Sequence, residues 1–269
     1  MAKIIIIGAG AMGSAFSLPC LDNNHDTIII GTHLENEFID NLKDNNNVHP
    51  SLNIKIPEEI KIFKFNKFEE LFKSNVELIV LGISSKGIEW VSEQLVKIAK
   101  DKKLPDILML TKGLSIHENK YELLVDKLKR LLTSKGLTNV SISAVGGPCL
   151  AAGLANRIHS SVVIANEEVK TATKIANMLN TNYYHTSSSD DLKGVEVSAA
   201  IKNIFSMAVG AAKGLCSKNV SIEVREKNYL NTASALIKQS IYEMEIFVAY
   251  LKGKKETVKG LAGLGDLYV

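Results

Sequence analysis

Cysteine is scarce in this chain of 269 residues, which contains only Cys20, Cys149 and Cys216. Their number is odd and no Cys-x-x-Cys pair occurs, which argues against a disulfide framework and against a cysteine-based zinc site. The six histidines also lack the spacing of metal ligands, so we expect no metal cofactor. Sparse, scattered cysteine is typical of proteins in a reducing compartment, and we therefore expect a cytoplasmic location.

The chain also lacks a strong charge of one sign and a long apolar run. Its formal net charge is +3, and basic residues are interspersed with acidic ones along the sequence. We therefore expect no nucleic acid partner, although a weak positive field favours small anionic substrates. The apolar residues 4–7 end at Gly8, too early for a signal peptide, and no run approaches the roughly 20 residues of a membrane span.

Short apolar runs alternate with helical patterns over the first two thirds of the chain. Such alternation predicts an α/β fold with a parallel, doubly wound (Rossmann-type) sheet. Helices are expected at residues 11–21 and 88–100, with Pro19 kinking or shortening the first. The Asn-rich residues 40–50 are expected to form a loop. The predicted strands span residues 4–7, 27–30, 77–82, 107–111, 140–145 and 161–165.

The pattern changes near residue 187, after which apolar residues recur at helical spacing. Helices are predicted over residues 193–215 and 229–251, and no further strand signal follows. We therefore expect two domains, a dinucleotide-binding domain at residues 1–187 and an all-helical C-terminal domain at residues 188–269. The apolar faces of these helices also suit a homodimer interface.

A glycine-rich loop directly follows the first predicted strand and opens the first predicted helix. Its sequence is Gly8-Ala-Gly10-Ala-Met-Gly13, the Gly-x-Gly-x-x-Gly pattern of dinucleotide-binding folds. Gly8 makes the tight turn, Gly10 allows close approach of a pyrophosphate, and Gly13 lets helix and sheet pack closely. In this context the loop predicts NAD or NADP binding and disfavours a flavin, whereas alone it is compatible with a simple glycine turn.

The end of the second predicted strand normally distinguishes NAD from NADP, because an acid there binds the ribose 2′-hydroxyl. This chain reads Ile30-Gly-Thr-His33 at that point and has no acid until Glu35. The usual repulsion of a 2′-phosphate is therefore not expected, and Thr32 and His33 are candidates to accept that phosphate. The sequence leaves the choice between NAD and NADP open.

A lysine with polar neighbours stands in the middle of the predicted apolar helix 193–215. Lys202 and Asn203 follow small residues, and Ser198 and Ser206 lie one turn away on the same face as Lys202. A desolvated amine there is suited to proton exchange, and the small neighbours suit a pocket wall. The alternative is a lysine whose stem is buried and whose ammonium reaches water.

Three further segments offer groups to a site. Lys112 follows a predicted buried strand, where open α/β sheets bind ligands, although a lysine in a surface turn gives the same pattern. The turn at Gly147-Pro-Cys149 either offers backbone amides to an anion or is an ordinary glycine-proline loop. Asp266 ends a flexible, glycine-rich segment, where it either faces Lys202 and sets its charge state or is solvated.

Taken in order, these motifs resemble the NAD(P)-dependent glycerol-3-phosphate dehydrogenases over nearly the whole chain. The combination is far more specific than any single motif. The matching segments are Gly8-Ala-Gly-Ala-Met-Gly13, Thr111-Lys-Gly113, Gly147-Pro148, Gly194-Val-Glu196, Ala200-Ile-Lys-Asn203, Asn231-Thr232, Ala235-Leu236 and Gly260-Leu-Ala-Gly-Leu-Gly-Asp266.

The resemblance implies hydride transfer between sn-glycerol 3-phosphate and dihydroxyacetone phosphate with NAD or NADP, which feeds glycerophospholipid synthesis. It implies that Lys202 is the general acid and base. Together with the patterns above it gives three sets of candidates: catalytic Lys202, Asp266, Lys112 and Asn203; cofactor-binding Gly8, Gly10, Ala11, Met12, Gly13, Thr32, His33, Lys112 and Ala151; and substrate-binding Lys112, Gly147, Cys149, Lys202 and Asp266.

The chain departs from the family pattern at several points. Cys149 stands where a serine or another small residue is usual, Gly153 where a glutamate is usual, and Thr32 where an arginine often reads the cofactor. The family also continues beyond Gly-Asp into a helical segment whose Arg-Asn pair binds the substrate phosphate, so we expect the chain to be a fragment. Ketopantoate reductases, β-hydroxyacid dehydrogenases and a non-catalytic NAD(P)-binding protein are the alternatives.

Overall fold

The computed structural model describes residues 1–99, 103–216 and 230–269 of the chain. Residue 100, the predicted end of one helix, and residue 229, the predicted start of another, lie outside the described residues. The strands are β1 (Lys3–Ile7), β2 (Asp26–Ile30), β3 (Val48–His49), β4 (Ile54–Lys55), β5 (Lys61–Phe63), β6 (Leu78–Leu81), β7 (Asp106–Met109), β8 (Leu114–His117), β9 (Lys120–Leu123), β10 (Ile142–Gly146), β11 (Ser160–Ala165) and β12 (Tyr184–Ser189).

Within the described residues, eight of these strands form one sheet, in the order β12-β11-β10-β7-β6-β1-β2-β5. The strands from β10 to β5 in this order are parallel to one another. The strands that follow β1 are first added on one side of it, as β2 and β5, and then on its other side, starting with β6, so the strand order reverses between β1 and β6. In open α/β sheets such a reversal opens a crevice at the carboxyl ends of the strands, where ligands bind.

Helices cover both faces of the sheet, which explains why its central strands, such as β1 and β6, are apolar along almost their whole length. On β1, Ile4 and Ile6 join one buried core, whereas Ile5 and Ile7 join a second core on the opposite face. The helices of this part are α1 (Ala11–Asp22), α2 (Asn36–Asp44), α3 (Phe68–Leu71), α4 (Ile88–Ile98), α5 (Leu124–Thr133), α6 (Ala151–Ala155) and α7 (Val169–Leu179).

The sheet is mixed, whereas the sequence pattern predicted a purely parallel one. β11 pairs antiparallel with β10, with Val145 opposite Ile164, and β12 is parallel to β11. The connection from β10 to β11 contains only the short helix α6, and antiparallel neighbours can be joined without a long crossover. β12 also runs to Ser189, so the boundary expected after residue 187 falls inside a strand rather than a linker.

Two local predictions in the first half of the chain are wrong. The Asn-rich segment 40–50 is not a loop throughout, because α2 extends to Asp44 and buries Ile39 and Leu42 on one face. Of the two effects expected of Pro19, a kink or an early end of the helix, the early end is wrong, because α1 continues to Asp22. Pro19 lies in the last turn, where a missing backbone donor interrupts little of the helix.

The C-terminal part is helical, as the sequence predicted. Its elements are α8 (Leu192–Cys216), α9 (Leu230–Tyr250), α10 (Lys255–Val258), a single π-helical turn at Leu261–Gly265 and α11 (Asp266–Tyr268). A third apolar cluster joins them, with Val197 and Ile201 of α8 packed among residues such as Met244 and Leu267. Residues Leu192–Leu215 are long and apolar enough to span a membrane by length and composition alone, which departs from the expectation of no such run.

Candidate active site

The candidate site is centred on Lys202, in the middle of α8. Lys202 is only 9% exposed, and its ammonium forms an ion pair with the carboxylate of Asp266 at the start of α11. The same ammonium donates a hydrogen bond to the backbone carbonyl oxygen of Asp266 at 2.9 Å. Asp266 is 1% exposed, so protein atoms shield the pair from water. The alternative of a lysine whose ammonium reaches water therefore does not hold.

Lys112 reaches the same carboxylate from the end of β7. The hydroxyl of Thr111 donates to the carbonyl oxygen of Ile83 at 2.7 Å, which ties two neighbouring strand ends together next to Lys112. The Lys112 ammonium donates to the second carboxylate oxygen of Asp266 at 2.7 Å, and the Lys112 side chain is 32% exposed. Two ammonium groups share one carboxylate, so the cluster has one positive charge in excess.

Glycines let the segment before Asp266 approach the sheet. A side chain at Gly146, the last residue of β10, would come within 2.9 Å of Ala262. A side chain at Gly265 would come within 3.4 Å of the ring of Pro148. Sequence analysis predicted a flexible segment here, but it is packed, with Ala262 buried. This packing fixes the backbone that carries Asp266 beside the two lysines.

A recess beside Lys112 brings together residues from the glycine loop and from the Gly147-Pro148 turn. Burial raises the pKa of the Cys149 thiol in this recess above its ordinary value, so that the thiol is protonated at neutral pH. Gly147 adopts φ of +134°, which a residue with a side chain rarely adopts. The recess is lined by Met12, Phe16, Leu110, Lys112, Val145, Gly146, Gly147, Cys149, Val162 and Tyr184.

Two other predicted site residues, Asn203 and Ala151, are not part of the charged cluster of Lys202, Asp266 and Lys112. The Asn203 side chain is exposed and forms no hydrogen bond to another residue of the described parts of the chain. Asn203 is therefore next to Lys202 in sequence but is not part of the ion cluster. Ala151 begins α6 and, like Ala11 and Met12, is partly buried against the apolar core on one face of the sheet.

The glycine loop has the geometry that close approach of a dinucleotide requires. Gly8 has φ of +110°, and a side chain there would come within 2.6 Å of the carbonyl oxygen of Gly82, at the end of β6. A side chain at Gly13 would collide with the carbonyl oxygen of Gly8, whereas one at Gly10 would meet only a Glu35 carboxylate oxygen, at 4.0 Å. The loop is therefore closely packed on its protein side and open above Gly10, and within the described parts of the chain no side chain caps the α1 amides. These features fit a dinucleotide.

Glu35 lies over this loop, although its position in the sequence argued against it. One carboxylate oxygen accepts a hydrogen bond from the Ala9 amide at 3.1 Å, and the other accepts one from the Thr32 amide at 2.7 Å. The sequence pattern did not indicate this residue, because Glu35 lies five residues beyond the end of β2. The available signal was the spacing Thr32-x-x-Glu35, because a glutamate three residues after a threonine can bond back to its amide, as in the capping box, although here this turn precedes α2. The expectation that no acid stands at this place is wrong.

An aromatic cluster stands next to Thr32, and sequence analysis did not identify it. The ring of His33 lies 4.9 Å from that of Trp90, and Trp90 lies 5.2 Å from Phe65, as centroid distances. His33 is exposed, whereas Trp90 is half-buried at the start of α4. The cluster offers a flat apolar surface beside the end of β2.

Glu196 is another buried acid, six residues before Lys202 on α8. It is 3% exposed and accepts a hydrogen bond from the amide of Val125, in the first turn of α5, at 3.0 Å. Its other carboxylate oxygen has no partner among the described residues. Burial raises the pKa of Glu196 to about 8. The residue therefore connects α8 to the sheet domain in a form that is largely protonated at neutral pH.

A doubly wound sheet with a dinucleotide loop, joined to helices that supply a buried lysine and aspartate, is the construction of a nicotinamide-dependent dehydrogenase. The chain belongs to the NAD-dependent glycerol-3-phosphate dehydrogenase family. The model of the family's N-terminus matches residues 3–172 and that of its C-terminus matches residues 191–269. The family predicted from the sequence motifs is thereby confirmed.

Relatives of the chain carry corresponding names. An NADP(+)-dependent glycerol-3-phosphate dehydrogenase from Archaeoglobus fulgidus is 30% identical over 98% of this chain and 74% of the relative. A glycerol-3-phosphate dehydrogenase [NAD(P)+] from Fusobacterium nucleatum is 30% identical over 100% of this chain and 74% of the relative. Among solved structures, the glycerol-3-phosphate dehydrogenase from Coxiella burnetii has a TM-score of 0.80 at 25% identity, over 99% of this chain and 74% of that chain.

Proposed function

We propose that the chain interconverts sn-glycerol 3-phosphate and dihydroxyacetone phosphate with NAD or NADP, and thereby supplies glycerophospholipid synthesis. The observation that carries this proposal is the shared carboxylate of Asp266, which holds Lys202 and Lys112 side by side. Membership of the family and the names of the relatives support the same reaction.

A nicotinamide cofactor held at the glycine loop would supply or accept the hydride at C2 of the substrate. Reduction places negative charge on the substrate carbonyl oxygen, and the Lys202 ammonium is suited to stabilise that charge and to donate the proton. In the oxidation direction the Lys202 amine takes the hydroxyl proton back. Asp266 orients Lys202, and Lys112 adds positive charge for an anionic substrate, because the cluster keeps one charge in excess.

The glycine loop is suited to hold the cofactor through the free amides at the start of α1. Ala11, Met12 and Ala151 would contact it, while Gly147 and Cys149 would line the substrate side of the recess. We also propose that residues 1–187 bind the dinucleotide and residues 188–269 complete the catalytic site.

We further propose a cytoplasmic homodimer. The cytoplasmic location is supported by the scattered cysteines, of which Cys20 and Cys149 are free. The homodimer is supported by large apolar side chains that α8 and α9 expose, among them Ile204 at 64%, Met207 at 71% and Ile246 at 52%.

Loss of the Lys202 amine tests the proposal most directly. Lys202→Ala is expected to lower NADH oxidation with dihydroxyacetone phosphate by at least about 100-fold, because the proton donor is removed. Cofactor binding, measured by calorimetry, is expected to persist. Lys170→Ala, at an exposed position of α7, is the matched control and is expected to retain activity. A Lys202→Ala variant that keeps most of kcat would contradict the assignment.

A panel of substrates distinguishes this reaction from its alternatives. The chain is expected to turn over dihydroxyacetone phosphate and to be inactive with ketopantoate and β-hydroxy acids. Faster turnover of one of these acids would replace the proposal with the corresponding dehydrogenase. Binding of NADH without turnover of any member of the panel would favour a non-catalytic protein.

A further inference from the structure

The carboxylate of Glu35 bridges two segments that meet at the adenosine end of the expected cofactor site. One of its oxygens accepts a hydrogen bond from the amide of Ala9, in the glycine loop, and the other accepts one from the amide of Thr32, just after β2. A carboxylate has about four acceptor positions, so these two bonds leave about two for further donors. Because Gly10 has no side chain, the space beside one oxygen stays open.

Two neighbouring hydroxyl groups are the ligand chemistry that such a carboxylate accepts. In doubly wound folds, the adenosine ribose of a dinucleotide lies between the glycine loop and the end of the second strand. The 2′-hydroxyl of NAD can donate to a carboxylate there. A 2′-phosphate would instead place a charge of about −1.5 to −2 next to the carboxylate.

The surroundings of Glu35 offer little to compensate a phosphate. The sequence from Gly31 to Asp40 contains three acidic residues and neither lysine nor arginine. Its one histidine, His33, lies against the ring of Trp90 at 4.9 Å between centroids. Lys64 lies nearby in the fold but is paired with Asp40 at 2.6 Å. The amide of Thr32, the backbone donor that a phosphate would need, is already bound to Glu35.

We propose that Glu35 reads the ribose diol and makes this chain selective for NAD(H) over NADP(H). The inference rests on the proposed function, because it assumes a nicotinamide dinucleotide in this crevice. Glu35 is a specificity-determining residue and takes no part in hydride or proton transfer.

Binding titrations without substrate test the proposal. Trp90 is the only tryptophan in the chain and lies beside His33, so its fluorescence is a probe of this end of the site, with calorimetry as a second readout. The chain is expected to bind NADH at least about tenfold more tightly than NADPH, since a like-charge contact costs on the order of that factor. Higher salt is expected to narrow the difference, because it screens the repulsion.

Glu35→Gln removes the charge and retains the shape. It is expected to reduce the preference for NADH about tenfold, mainly through tighter NADPH binding. The control is Glu37→Gln, which makes the same change of charge at an exposed position two residues away and is expected to leave the preference unchanged. Thermal unfolding of each variant checks that it is folded.

Four results would overturn the proposal. Wild-type binding of NADPH that equals or exceeds binding of NADH refutes the selectivity. Equal effects of Glu35→Gln and Glu37→Gln, or an unchanged preference at high salt, would show that Glu35 is not its cause. Failure to bind either nucleotide would refute the proposed function as well, whereas reversed selectivity leaves that function intact.

Discussion

Replacing Glu196 with glutamine is expected to stabilise the protein at neutral pH and to remove part of its pH dependence. The carboxyl is buried, and its raised pKa of about 8 compares with an ordinary value of 4.5. Between these two values the unfolded chain has released the proton while the folded protein still holds it. The contribution of this group to the free energy of unfolding is therefore greatest below the ordinary pKa of 4.5, and it decreases as the pH rises toward 8.

The magnitude follows from the difference between the two pKa values. Each pH unit inside the window costs about 1.4 kcal/mol, and partial titration at the lower end reduces this slightly. From about pH 5 to about pH 7, Glu196 is expected to lower the free energy of unfolding by about 2.5 kcal/mol. Glutamine keeps an oxygen that accepts the hydrogen bond from the Val125 amide, and it cannot ionise. The free energy of unfolding of the variant should therefore not show this decrease between pH 5 and pH 7.

Denaturant unfolding of wild type and Glu196→Gln at both pH values measures the effect. The difference in unfolding free energy between the two proteins is expected to grow by about 2.5 kcal/mol from pH 5 to pH 7 in favour of the variant. Glu93→Gln, exposed on α4, is the control and is expected to follow the wild type. Parallel pH profiles for wild type and Glu196→Gln would refute the reasoning, because they would mean that the carboxyl ionises in the folded protein at its ordinary pKa.

Two further predictions concern the charged cluster and its recess. Asp266→Asn is expected to cost about 3 kcal/mol of unfolding free energy because it leaves the buried Lys202 ammonium unpaired, whereas Lys112→Ala should cost under about 1 kcal/mol because Lys112 is partly exposed. Equal losses in denaturant unfolding would contradict this. Cys149→Ser is expected to keep kcat/KM within about threefold, and the wild-type thiol should react more slowly with disulfide reagents than free cysteine, because burial keeps it protonated. A rapid thiol reaction at neutral pH would contradict the burial argument.

Features of the fold that depend on local sequence could be predicted. β1 was predictable because four consecutive isoleucines followed by glycine suit a strand buried on both faces. The glycine loop was predictable because each glycine meets a separate steric demand between this strand and α1. The length and position of α8 were also predictable from its helical pattern, although its surroundings were not.

Features that depend on pairing could not be predicted in the same way. The direction of β11 depends on the connection through α6 and on the neighbouring strands. An apolar run therefore predicts that a strand forms but not whether it is parallel or antiparallel to β10. β12 has the serine-rich sequence Ser187-Ser-Ser189, a poor strand former, and exists because it pairs with β11 at the edge of the sheet. The place of Glu35 depends on a turn after β2 that brings it back over the loop, so counting residues from the strand end excluded it.

The glycine-rich segment before Asp266 was expected to be flexible, but glycines in it and in β10 instead allow close packing. A flexible segment would hold the Asp266 carboxylate between Lys112 and Lys202 for only a fraction of the time. Whenever the carboxylate was elsewhere, the two ammonium groups would repel each other. Gly146 and Gly265 instead remove side chains where β10 and the π-helical turn approach each other. Lys112 comes from the sheet and Lys202 from α8, so a single carboxylate can serve both only if the backbones of these parts are close. The small residues are therefore the condition for the charged cluster, and a methyl group added at Gly146 would act on the site through distance rather than through charge.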